Sequence, residues 1–176
     1  MAQAHVGPHG TQGFLPGVAH PLSGLDHICA MVAVGIWAAQ RGGRALWMVP
    51  VTFVSVMMLG ALLGMGSVSI PFVEGGIITS LLVLGVMVAA AIRIPLAASV
   101  ALVGVFALFH GHAHGVEMPA TASGVSYGLG FVVSTIALHL AGIGVGLAAR
   151  KGTGLALAAR YAGGAIAACG LYLCFS

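Results

Sequence analysis

The sequence predicts an all-α integral membrane protein, a bundle of about six transmembrane helices forming one domain over residues 1–176. Three observations carry this prediction. Hydrophobic residues make up 60% of the chain and charged residues only 5%, with a mean hydropathy of +1.11, whereas a soluble domain carries about 25% charged residues. Such a chain cannot cover itself with a solvated surface. Six apolar runs, at about 14–40, 45–67, 72–92, 95–118, 122–149 and 153–175, are separated by short breaks of Gly, Pro or charge. Each is long enough to cross ~30 Å of hydrocarbon at ~1.5 Å per residue. The basic residues, finally, fall in alternate breaks. Arg41 and Arg44 lie between runs 1 and 2, Arg93 between 3 and 4, and Arg150 and Lys151 between 5 and 6.

These breaks share one side, and Arg160, early in run 6, is near enough to snorkel to it. The positive-inside rule makes that side cytoplasmic. Both termini then face outward, into the periplasm of a bacterium whose inner membrane holds the protein as a multi-pass chain. Residues 1–13 form an outer tail. Within it, Ala2-Gln3-Ala4 has the small-x-small form that signal peptidase cleaves, with no hydrophobic stretch before it. The expectation is a precursor with a cleaved signal peptide and a mature chain that begins natively near His5. The net charge of +3 comes from so few groups that nucleic-acid binding is not expected.

Several features read as packing. Glycines four apart at 60–64, 124–128 and 142–146 suit close approach of transmembrane helices. Cys29, Cys169 and Cys174 form no CxxC and sit in apolar stretches, as small buried hydrophobes do. No internal repeat is evident, so an inverted-repeat transporter is not indicated.

The residues that carry chemistry lie toward the outer side. Run 1 contains HPLSGLDH, with His20, Asp26 and His27. On an unbroken helix the two histidines would stand ~10 Å apart along the axis, too far for one ion. Either they are successive stations, or the helix opens around Pro21, Ser23 and Gly24 so that the ligands converge. Asp26 could bind an ion directly or orient an imidazole. Run 4 ends in FHGHAHGVE. There His110, His114 and Glu117 fall at i, i+4 and i+7, one helical stripe, with His112 on the opposite face. Gly111 and Gly115 weaken the helix, so a looped end gathering all three histidines is the alternative.

A carboxylate inside a bilayer costs on the order of 3 kcal/mol on insertion scales, and no basic residue is placed at the depth of Asp26 to pair with it. A bound divalent cation would supply the missing charge. Imidazole with carboxylate suits nickel, cobalt or zinc, whereas magnesium and calcium favour oxygen and copper(I) favours sulfur. Eight methionines leave copper open, with Met31 nearest the first motif, but most read as apolar filling. Candidate secondary ligands are His5 and His9 in the tail, His112, Glu74 opening run 3, and His139 in run 5. His139 is either hydrogen-bonded across helices to a Ser or Thr or a deeper station on an ion path.

At these two motifs the chain resembles the HupE/UreJ family of nickel permeases. HPLSGLDH matches that family's His, five residues, Asp-His signature, and FHGHAHGVE matches its FHGxAHGxE signature. The resemblance extends over the whole chain. It implies uptake of Ni2+, or in some members Co2+, as transported substrate for nickel enzymes such as hydrogenase or urease. It also implies functional roles for His20, Asp26, His27, His110, His114 and Glu117, with Glu74 a weaker match. No enzymatic activity and no catalytic cofactor is expected, and nothing resembles a nucleotide-binding loop. Two other classes compete with a permease: an intramembrane zinc-dependent hydrolase, and a membrane metal sensor or delivery protein.

Overall fold

The computed structural model describes residues 13–118 and 124–175. The tail histidines His5 and His9 and the expected cleavage site lie outside the described residues. Among the described residues seven α-helices follow in order: α1 (Phe14–Ser23), α2 (Leu25–Arg41), α3 (Ala45–Met65), α4 (Val73–Ala89), α5 (Leu96–Val116), α6 (Gly124–Ala148) and α7 (Thr153–Leu173), with a 3-10 turn Ala149–Lys151 between the last two.

All six apolar runs are thus helical, but the first is two helices. α1 and α2 meet at 85°, and the change of direction falls on Gly24, whose φ of −91° and ψ of 117° are extended. Pro21 stays inside α1. The Ser23 hydroxyl donates to the His20 carbonyl at 2.6 Å, a local bond that competes with helix continuation, and Gly24 adds the low helix propensity of glycine. Four stretches, α3, α5, α6 with its 3-10 turn, and α7, are long and apolar enough to cross a membrane, and the bent α1–α2 pair brings the number to five. At 17 residues, α4 is an apolar helix just short of that length.

The second departure is at the end of α5, which stays helical through Val116. Gly111 and Gly115 do not loosen it. They let it press on α3: a Cβ on Gly111 would collide with the Met57 carbonyl, and one on Gly115 with that of Ala61. Of the glycine pairs read from the sequence, Gly60/Gly64 and Gly142/Gly146 lie in such helix contacts, whereas Gly128 has open space beside it.

The main packing pairs are α3 with α5, α2 with α6, α4 with α7 and α1 with α6, while α2 also touches α3, α4 and α7. α2 therefore runs through the middle, with Met31, Val34 and Trp37 fully buried. Met31 belongs to this apolar core and not to a ligand group. At the basic end, residues of two helices, α2 and α7, converge on the carbonyls at and just beyond the end of α4. Trp37 Nε1 donates to Ile92 at 2.9 Å, Gln40 to Val88 at 3.1 Å, Arg160 to Ala89 at 2.7 Å, and Arg41 to Ile94. Cations at a helix C-terminus satisfy its last carbonyls and complement the helix dipole. The large exposed side chains of α3, α6 and α7, such as Leu62, Leu140 and Tyr172, form an apolar outer surface of the kind a lipid phase covers.

Candidate metal centre

The break at Gly24 matters because it turns α1 back toward α5. His20 Nε2 comes within 2.8 Å of His114 Nδ1, and the other ring nitrogen of His114 stands 3.0 Å from His27 Nδ1. The two histidines that a straight helix would hold a turn or more apart are thus bridged by a third from another helix. His20 Nε2 also lies 3.1 Å from Glu117 Oε2, and His114 Nδ1 lies 3.3 Å from the same oxygen.

Two overlapping groups result, His20/His114/Glu117 and His27/His110/His114, each with its ligand atoms within 4.8 Å of one another. They differ in environment. Glu117 is 54% exposed and His20 28%, whereas His27 and His110 are fully buried. His114 belongs to both. Two ligands bonded to one ion at ~2.1 Å in a tetrahedral or octahedral shell are about 3.0–3.4 Å apart, so the imidazoles are already near the spacing that an ion requires.

Protons account for the same contacts without an ion. If each neutral ring carries its hydrogen on Nε2, His20 donates to His114, and His114 donates to His27. His27 then points its own N–H at Thr135 Oγ1, 3.5 Å away. His110 is held differently. Ser80 Oγ donates to the Ile77 carbonyl at 2.6 Å and lies 2.9 Å from His110 Nε2. Its one hydrogen is committed, so it accepts from His110. The proton is thereby fixed on Nε2, and Nδ1, which has no partner among the described residues, keeps a lone pair. A metal-binding histidine is oriented in this way through its second nitrogen.

The centre is walled by aromatics. The Phe131 ring lies 4.7 Å from that of His114, 5.3 Å from His27 and 6.3 Å from His20. Phe53, fully buried, stands between two histidines, 5.8 Å from His110 and 5.3 Å from His139. His139 is only 2% exposed and joins neither group; both of its ring nitrogens lack a partner among the described residues. The interhelical hydrogen bond to Ser or Thr is therefore not formed, because Thr135 faces His27 and Met57.

The remaining sequence candidates are placed apart. Asp26 is half-buried at the start of α2 and belongs to neither ligand group, although His27 beside it does. Glu74 is exposed in the first turn of α4. His112 points away from the stripe, as the helical spacing requires, and bonds the Val68 carbonyl at 2.7 Å. Sequence reasoning missed Ser80, Phe53 and Phe131, and the contact of Thr135 with His27. Nothing in their local pattern marks them; each is a lone residue within an apolar helix, and its role depends on the helix opposite.

The sequence profile described as HupE / UreJ protein matches residues 1–173. The chain is similar to Protein HupE of Rhizobium leguminosarum bv. viciae, 46% identical over 173 residues that cover 98% of this chain and 90% of the relative. No solved structure matches it. With a profile match over nearly its whole length, this chain belongs to the HupE/UreJ family.

Proposed function

We propose that the protein is a membrane permease that takes up a divalent transition-metal ion, Ni2+ first and Co2+ second, along a path lined by histidine and carboxylate. The observation that carries this reading is the sharing of His114 by a half-exposed and a buried ligand group. An ion held by His20, Glu117 and Nδ1 of His114 finds its next ligands in His27, His110 and Nε2 of the same imidazole, so His114 serves both groups through its two ring nitrogens. Transport requires ligation weak enough to release, and successive partial sites meet that need where one saturated cage would not.

Membership in the family supports a role in nickel or cobalt supply, and mixed imidazole and carboxylate ligation suits those borderline ions. In this reading six spans cross the membrane, with α1–α2 as one broken span and α4 as a short one. The basic end faces the cytoplasm, and the half-exposed group faces the periplasm. The ion moves inward from the buried trio past Phe53 toward His139. Energy comes from an ion gradient or a partner, and the cargo serves nickel enzymes such as hydrogenase or urease.

An intramembrane hydrolase would need, beside the buried trio, a cleft that admits substrate and a general base beyond the ligands. The test is uptake of radiolabelled nickel by cells expressing wild type, His27→Ala and His110→Ala at matched membrane levels, with nickel-edge absorption on the purified proteins. Loss of uptake together with loss of nitrogen ligands supports the path. Equal uptake in all three rejects it.

A further inference from the structure

The third histidine of the FHGHAHGVE segment takes no part in either ligand group, and its surroundings are chemically different. His112 is 6% exposed and turns from α5 toward the end of α3. There α3 closes with the Val68 N–H on the Leu63 carbonyl at 3.0 Å and Ser67 in the left-handed region at φ 58°. The Val68 carbonyl lies 2.7 Å from His112 Nε2. A carbonyl only accepts, so Nε2 carries the proton and Nδ1 the lone pair. Nδ1 is buried and has no partner among the described residues. One nitrogen bonded to a backbone carbonyl and the other left free is the arrangement that orients histidines toward metals.

His112 lines an open cavity of about 560 Å³ with Met65, Ser67, Val68, Ser69 and Met118. Both methionines reach Gly124: a methyl group there would stand 3.1 Å from Met65 Cε and 4.0 Å from Met118 Sδ. One imidazole and two thioether side chains thus line one space. Among the described residues no acidic side chain lines the cavity, so its wall offers little to balance a divalent charge. Thioethers are soft ligands that select copper(I)-like ions over nickel or magnesium.

We propose that His112, Met65 and Met118 form a second metal site, separate from the shared-histidine path, that binds a soft monovalent cation: copper(I), or silver(I) as its surrogate. The helical register that removes His112 from the His110–His114 stripe turns it toward the cavity that these methionines also line.

The test uses the full chain purified in detergent and titrated anaerobically with copper(I) against a chromophoric chelator. Copper-edge absorption of the loaded protein is measured in parallel. Wild type is expected to bind one copper(I) with both sulfur and nitrogen scatterers. Met65→Leu/Met118→Leu, which keeps the apolar volume, is expected to lose the sulfur scatterers and to bind roughly tenfold more weakly or worse. It should leave radiolabelled nickel uptake unchanged, and His27→Ala should leave copper(I) binding unchanged. Absence of copper(I) binding by wild type, a sulfur-free shell in wild type, a smaller loss in the double variant, or loss of binding in His27→Ala each overturns the proposal. The wild-type shell decides the matter even if the double variant fails to fold.

Discussion

Replacing Ser80 with alanine removes one hydroxyl from a fully buried position and leaves a single group in need of a partner. The Ile77 carbonyl, which accepts from Ser80 Oγ at 2.6 Å, keeps its place in the backbone ladder of α4. His110 Nε2, 2.9 Å from that oxygen, loses the acceptor for its proton. An unsatisfied buried donor costs about 1–3 kcal/mol. Without that acceptor nothing fixes the proton on Nε2; His110 can carry it just as well on Nδ1, which has no partner among the described residues either, and the lone pair is then lost from the group it makes with His27 and His114. Loss of a supporting hydrogen bond of this kind typically weakens metal binding or activity about 10–100-fold, or about 1.4–2.8 kcal/mol at 1.4 kcal/mol per tenfold. The two estimates coincide. The assay is initial uptake of radiolabelled nickel at concentrations well below saturation, normalised to protein in the membrane. Ser80→Ala should fall by roughly tenfold or more, while Ser80→Thr, which keeps the hydroxyl, retains most of the uptake. Ser80→Ala uptake within about twofold of wild type would refute the reasoning, because supporting bonds at working metal sites cost more than that.

His114→Ala removes a ligand from both groups, so its loss of nickel uptake should exceed that of His20→Ala or His110→Ala. It should equal that of the double variant, and a loss no greater than either single variant would separate the groups. Gly111→Ala, whose Cβ would meet the Met57 carbonyl, should destabilise the α3–α5 contact by about 1–3 kcal/mol. Gly128→Ala, with nothing within 4 Å of the added carbon, should be neutral or stabilising by about 0.5–1 kcal/mol; thermal unfolding in detergent measures both signs. Membrane-impermeant thiol labelling in a cysteine-free background should reach Gly43→Cys only from the cytoplasmic side and Ser69→Cys only from outside. Labelling of both from one face would rule out the alternating topology.

How much was legible in the sequence depended on whether a property belongs to one segment or to several. Apolar runs and their breaks are local, so the helices could be placed, and the i, i+4, i+7 spacing put His110, His114 and Glu117 on one stripe with His112 opposite. The bend was legible only as an alternative. A helix broken near Gly24 was one of two ways to reconcile His20 with His27, and the structure takes it at Gly24 and not at Pro21. The glycines near the end of α5 misled for a related reason. Glycine weakens an isolated helix, yet here Gly111 and Gly115 are what let α3 approach.

By itself, the sequence determined that the chain is an apolar helical bundle with basic residues in alternate breaks and its metal-type ligands grouped in two motifs. These follow from composition and from the fixed period of the α-helix. Only the tertiary structure decided that His114 is the residue shared between the motifs, with His20 94 positions and His27 87 positions away in the chain. It also decided that Ser80 steers His110, that Asp26 is a member of neither ligand group, and that Met65 and Met118 line a cavity together with His112. Helical period fixes which side chains share a face. Which faces then meet is set by the 85° break and by small residues that let remote helices approach, and neither is written in any one segment.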